Sequence, residues 1–104
     1  NMTETTLTEA RVTVDYPQAG EVVTTPSYTI RIGTIDASEV EVSIDDGPLQ
    51  PCRFSAGYWR YDWSDYLPGK HQIMVQAHTE DDHIVTSRQR VTVTLAPNEK
   101  FSFN

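Results

Sequence analysis

The sequence predicts an all-β domain, an antiparallel β-sandwich of seven to eight strands. Three observations lead there. Apolar residues recur with period two in short runs, turn signals rich in Gly, Pro and Asp separate those runs, and patterns of helical period are absent. The apolar faces are one-sided, which favours antiparallel pairing over a parallel sheet buried on both faces. Two one-sided sheets bury those faces against each other. At 104 residues the chain fits one domain, large enough to hold a core without disulfides or a metal. Its 38% hydrophobic and 22% charged residues place it among globular rather than disordered chains.

The elements follow in order. Thr3 to Glu9 is polar and reads as linker, with Asn1-Met2 as a tag remnant, so 1–10 is assigned outside the domain and 11–96 inside it. Val12, Val14 and Tyr16 alternate with Thr13 and Asp15 until Pro17, and Ala19-Gly20 turns the chain. Glu21 to Val23 reads as a second piece of the same edge strand. Tyr28, Ile30 and Ile32 form the next alternating run, with Gly33 and Asp36 marking a turn. Val40, Val42 and Ile44 alternate with Glu39, Glu41 and Ser43. Asp45-Asp46-Gly47 then carries the Asp-Gly hairpin signal, with positive φ expected at Gly47. Pro48 to Phe54 is a weak returning strand, and Pro51 assigns it to a sheet edge because proline has no N–H to donate. Glu39, Glu41 and Pro51 read as guards against stray strand pairing.

After Gly57 comes the most aromatic stretch, Tyr58 to Trp63. Pro68-Gly69 is a tight turn, and His71, Ile73, Val75 and Ala77 alternate with Gln72, Met74, Gln76 and His78. Glu80-Asp81-Asp82 turns the chain into a last strand from about Ile84 to Leu95, with Val91, Val93 and Leu95 inward. Pro97 and Asn98 close the domain, and 97–104, with Phe101 and Phe103, reads as linker.

Charge narrows the function classes. The net charge of −7 opposes nucleic-acid binding, which depends on Lys and Arg neutralising phosphate. It likewise opposes anionic membrane surfaces, and no apolar run approaches the roughly 20 residues that cross a bilayer. The single cysteine, Cys52, rules out an intramolecular disulfide and reads as a small buried hydrophobe. No nucleophile elbow, phosphate-cradling glycine loop, HExxH or Cys/His arrangement appears, so no catalytic residues are assigned. No cofactor is expected. His71, His78 and His83 lack zinc-ligand spacing with a cysteine. Asp45-Asp46-Gly47 and Glu80-Asp81-Asp82 would share a calcium ion only if both turns met at one end of the sandwich.

Trp59, Tyr61 and Trp63 are spaced two apart and share one strand face, opposite Tyr58, Arg60 and Asp62. Turned inward with Val42, Ile73, Val75 and Val93, they would supply the bulk that a core of small Val and Ile otherwise lacks. Turned outward, they would form a flat ligand-binding platform for sugar rings.

The order of motifs also carries a family resemblance. Val40-Glu41-Val42-Ser43-Ile44-Asp45-Asp46-Gly47 resembles the VEVSxDGG hairpin of bacterial immunoglobulin-like accessory domains of the E-set type. Trp59-x-Tyr61-x-Trp63 and Leu67-Pro68-Gly69-Lys70-His71-x-Ile73-x-Val75-x-Ala77 continue the likeness over roughly residues 11–95. The resemblance implies an immunoglobulin-like sandwich. It also implies a parent among secreted or periplasmic hydrolases and metallophosphoesterases, or among molybdopterin enzymes similar to sulfite oxidase, where such a domain mediates dimerisation. Gly47 is followed by Pro48-Leu49 where the second group has Thr-Trp. The family's catalytic residues lie outside this chain. The expectation is therefore a non-catalytic spacer, docking or dimerisation module cut from a larger protein. Its partner would be a neighbouring domain of the same chain or a second copy, in a periplasmic or extracellular setting. Carbohydrate binding through Trp59, Tyr61 and Trp63 is the alternative.

Overall fold

A computed structural model describes residues 11–94. The expected linkers at 1–10 and 97–104, the inward Leu95 and the domain's close at Pro97 lie outside the described residues. The described chain is all-β, in nine strands: β1 (Arg11–Tyr16), β2 (Val22–Val23), β3 (Ser27–Ile35), β4 (Ala37–Ile44), β5 (Gln50–Pro51), β6 (Arg53–Ser55), β7 (Tyr58–Ser64), β8 (Gly69–Thr79) and β9 (Ile84–Val93). They form a four-stranded sheet in the order β1-β3-β7-β6 and a five-stranded sheet in the order β2-β9-β8-β4-β5. This is the immunoglobulin arrangement: strands A, B, E and D lie on one sheet, and G, F and C on the other with short edge pieces added.

The period-two runs became the core. Val14, Val23, Ile30, Ile32, Val40, Val42, Trp63, Ile73, Val75, Ala77, Val91 and Val93 are buried. Register aligns them: Val42 sits opposite Val75 and Val40 opposite Ala77 between β4 and β8, while Val14 sits opposite Ile32 between β1 and β3. The core is chiefly Ile and Val, with Trp63 its one buried aromatic among the described residues.

Five expectations need correction. The short piece after Gly20 does not extend the first edge strand. β2 crosses to the other sheet and pairs in parallel with β9, so one stretch of chain seals both layers. Gly33 lies within β3, and the turn is at Asp36 alone, with φ of 63°. A Cβ at Gly33 would come within 2.9 Å of the Asp15 carboxylate, which would have to swing aside. In the β4–β5 turn the positive φ falls on Asp45 (54°) and Asp46 (62°), not on Gly47. With Gly47 N–H donating to the Ile44 carbonyl at 2.9 Å, this is a turn with both central residues left-handed, a conformation aspartate tolerates. The weak strand at 48–54 splits at Cys52, where the chain passes from β5 on one sheet to β6 on the other. Pro51 does lie on an edge strand. Glu39 and Glu41, however, lie on β4, an inner strand between β8 and β5, so they guard no outer edge.

Candidate functional site

Antiparallel pairing puts directly opposed residues on one face. Between β3 and β7, Tyr28 faces Trp63, Ile30 faces Tyr61 and Ile32 faces Trp59. Because Ile30 and Ile32 are fully buried, the three aromatic side chains of β7 lie on the inner face. Trp63 is buried, and its ring lies 4.2 Å from that of Tyr66 and edge-on to His71 at 5.4 Å. The Tyr66 hydroxyl donates to the Thr25 carbonyl at 2.6 Å, which fixes the β7–β8 corner against the segment before β3. Trp59 and Tyr61 are half-buried against the core. Trp59 meets Phe54 of the edge strand β6 at 5.1 Å, and its buried indole N–H has no acceptor among the described residues.

The outer face of the same sheet carries a cluster that strand parity alone does not reveal. The Arg31 guanidinium lies between the rings of Tyr58, at 4.1 Å, and Tyr16, at 4.7 Å. Asp15 sits 3.6 Å from Arg31 across the space left by Gly33. Arg53 and Asp62 pair at 3.0 Å, and the Thr29 hydroxyl also donates to Asp62. Those bonds hold the Asp62 carboxyl below the usual range. Spacing in β7 put Tyr58, Arg60 and Asp62 on this face. Bringing Tyr16 and Arg31 to them required the β1–β3–β7 register and the irregularity between Val14 and Tyr16.

The remaining candidates are dispersed. His78 faces Glu41 at 3.1 Å, His83 faces Asp81 at 3.2 Å, and His71 faces Asp45 at 2.6 Å. Ile44 pairs with Ile73 and Ala37 with Thr79, so the two acidic turns stand at opposite ends of β4 and share no site. Among the described residues no three His, Cys, Asp or Glu side chains are grouped to hold a metal. Cys52 is half-buried, and burial, with Glu41 adding to it, pushes its thiol up to about 12. An open cleft of about 370 Å³ on the larger sheet is lined by Ala19, Gly20, Gln72, Arg88, Gln89 and Arg90. It holds no nucleophile beside a base.

Known structures share this fold. The chain is similar to the fibronectin(III)-like modules of CbhA from Clostridium thermocellum, at 23% identity and a TM-score of 0.66, covering 83% of this chain and 99% of that one. It is similar to part of a modular endo-β-1,4-mannanase from Cellulomonas fimi, at 18% identity and a TM-score of 0.68, covering 83% of this chain and 19% of that one. It is also similar to CopC from Methylosinus trichosporium OB3b, at 17% identity and a TM-score of 0.69, covering 86% of this chain and 98% of that one. The chain thus spans about a fifth of the mannanase. No family model matches the sequence, and no curated protein does.

Proposed function

We propose that residues 11–96 form a non-catalytic accessory module of a larger multidomain protein, serving as spacer, docking or dimerisation unit beside an enzyme. The observation that carries this reading is the fold likeness. It extends over nearly the whole length of a module from CbhA and over a fifth of an enzyme that is itself modular. The partner is then a neighbouring domain of the same chain or a second copy. The inward Trp59, Tyr61 and Trp63 support packing over sugar stacking, since a stacking platform needs exposed ring faces. A carbohydrate-binding role on the outer face would rest on Tyr16, which is 40% exposed, beside the half-buried Tyr58.

Titrating the purified chain with glucan, xylan and chitin oligosaccharides, followed by intrinsic fluorescence and by co-sedimentation with the insoluble polymers, separates these roles. The accessory reading expects no saturable response. Saturable binding, lost in Tyr16→Ala and Tyr58→Ala variants that still fold, would replace it with the carbohydrate reading. Sedimentation velocity on the same sample then distinguishes a dimerisation unit from a spacer.

A further inference from the structure

We infer that His71 is held as an imidazolium and acts as a pH-released clasp joining the β4–β5 turn to the β7–β8 corner. The geometry decides its charge. His71 Nδ1 lies 2.6 Å from Asp45 Oδ2, and Nε2 lies 2.6 Å from the Leu67 carbonyl oxygen. Neither the carboxylate nor the carbonyl can donate. A neutral imidazole carries one N–H, so in that form one ring nitrogen would press a lone pair against an oxygen lone pair. Only the doubly protonated ring satisfies both contacts.

The clasp binds three segments. Asp45 is also tied to β8 by its backbone and its second oxygen. Its N–H donates to the Gln72 carbonyl at 2.9 Å, and its Oδ1 accepts from the Gln72 N–H at 2.9 Å. His71 adds the corner at Leu67, while Trp63 limits where the ring can turn. The charged surroundings are simple. Asp45 is the one charged group within ion-pair distance of His71 among the described residues. Asp46 and Asp65, on the two adjoining turns, are exposed, and Lys70 precedes His71 on the opposite face of β8. From β9, the residue opposite His71 is uncharged Val91, and from the corner Tyr66 directs its hydroxyl to Thr25.

Partial burial opposes the charge on His71, but the bonds from Asp45 and Leu67 outweigh it and hold its pKa above the ordinary value. Partial burial likewise opposes ionisation of Asp45, and the bonds from His71 and Gln72 outweigh it and hold that carboxyl below its ordinary value. The signs define a window. The raised histidine contributes stability that is complete below about pH 6.5, the unfolded value, and is lost as pH rises through the folded pKa. The lowered aspartate contributes above about pH 4 and is lost as pH falls through its folded pKa. The clasp is closed between these limits and opens on the alkaline side.

Nitrogen-15 NMR titration of the whole chain tests this. Both His71 ring nitrogens are expected to carry protons at pH 6.5, and the midpoint is expected to lie above 6.5 and to fall in Asp45→Asn, a substitution suited to the left-handed backbone there. Each unit of pKa displacement corresponds to a tenfold change in the opening equilibrium. Amide exchange at Asp45, Gly47 and Gln72, whose N–H groups are bonded within the clasp, corrected for its intrinsic pH dependence, should accelerate through the same midpoint, and His71→Gln should abolish that step. A wild-type midpoint at or below 6.5, a single ring proton at pH 6.5, or an exchange step that persists in His71→Gln would each overturn the inference.

Discussion

The two tryptophans of β7 share a face and differ in depth. Trp63 is enclosed by Tyr66, His71 and the aliphatic core, whereas Trp59 lies toward β6, where the sheet ends and Phe54 is 61% exposed. Emptying an enclosed site leaves a cavity in addition to losing the transfer energy of the ring, on the order of 3–5 kcal/mol for an aromatic truncated to alanine. Trp63→Ala should therefore lower the urea midpoint strongly. Trp59→Ala should lower it clearly less, because part of that ring is already solvated and its indole N–H already lacks a partner. Equal losses would show that Trp59 is as enclosed as Trp63. The shared face was legible in the spacing of Trp59, Tyr61 and Trp63. Their depth was not, because it depends on which strand lies beside β7, and a three-residue edge strand leaves almost no period to read.

At the scale of elements, the long runs announced themselves and the short ones did not. β3, β4, β8 and β9 run for eight to eleven residues, long enough for a buried alternation to show at Ile30 and Ile32, Val40 and Val42, Ile73 to Ala77, and Val91 and Val93. β2, β5 and β6 have two or three residues each, too few to fix a phase. The change of sheet at Cys52 takes a single residue and leaves no mark on the hydrophobic pattern. The β6–β7 hairpin shows what turn chemistry adds. Ser55 pairs with Tyr58 across Ala56 and Gly57, and both central residues have positive φ, 51° and 85°. The sequence advertised Gly57 and hid Ala56, since alanine is not a residue that chooses that conformation. Ala56→Asn would create the Asn-Gly pair that such turns favour. Ala56 is exposed, so the gain should be on the order of 1 kcal/mol, from relief of the backbone penalty. A thermal midpoint that fails to rise would mean that the turn is already unstrained.

The molecule as a whole was the most legible level, because a sandwich is the sum of many weak, concordant alternations. No single strand had to be right for the two sheets to be expected. The outer face of the smaller sheet was the least legible, since Tyr16, Arg31 and Tyr58 meet only through registers spanning three strands. Cys52 offers a measure of the molecule's cohesion. It sits where the chain passes between the sheets and packs against the core. At pH 8 a thiol with a pKa of about 12 is ionised in roughly one molecule in ten thousand. Labelling by an aromatic disulfide should therefore be slow in buffer and should accelerate in parallel with unfolding as urea is added. Rapid labelling of the native protein would show that the junction between β5 and β6 opens without the rest.

The crossing of β2 to the second sheet also determines how the domain bears load. β1 and β9 run in the same direction, so Arg11 and Thr94 stand at opposite ends of the sandwich. Tension applied between those two residues drags β2 and β9 past each other lengthwise. The bonds from Thr92 N–H to the Glu21 carbonyl, at 3.2 Å, and from Thr94 N–H to the Val23 carbonyl, at 2.8 Å, run across that pull and are strained together rather than in succession. A hairpin pulled from one end unzips bond by bond. This pair has to shear, as does the β1–β3 ladder through which tension on Arg11 reaches β2.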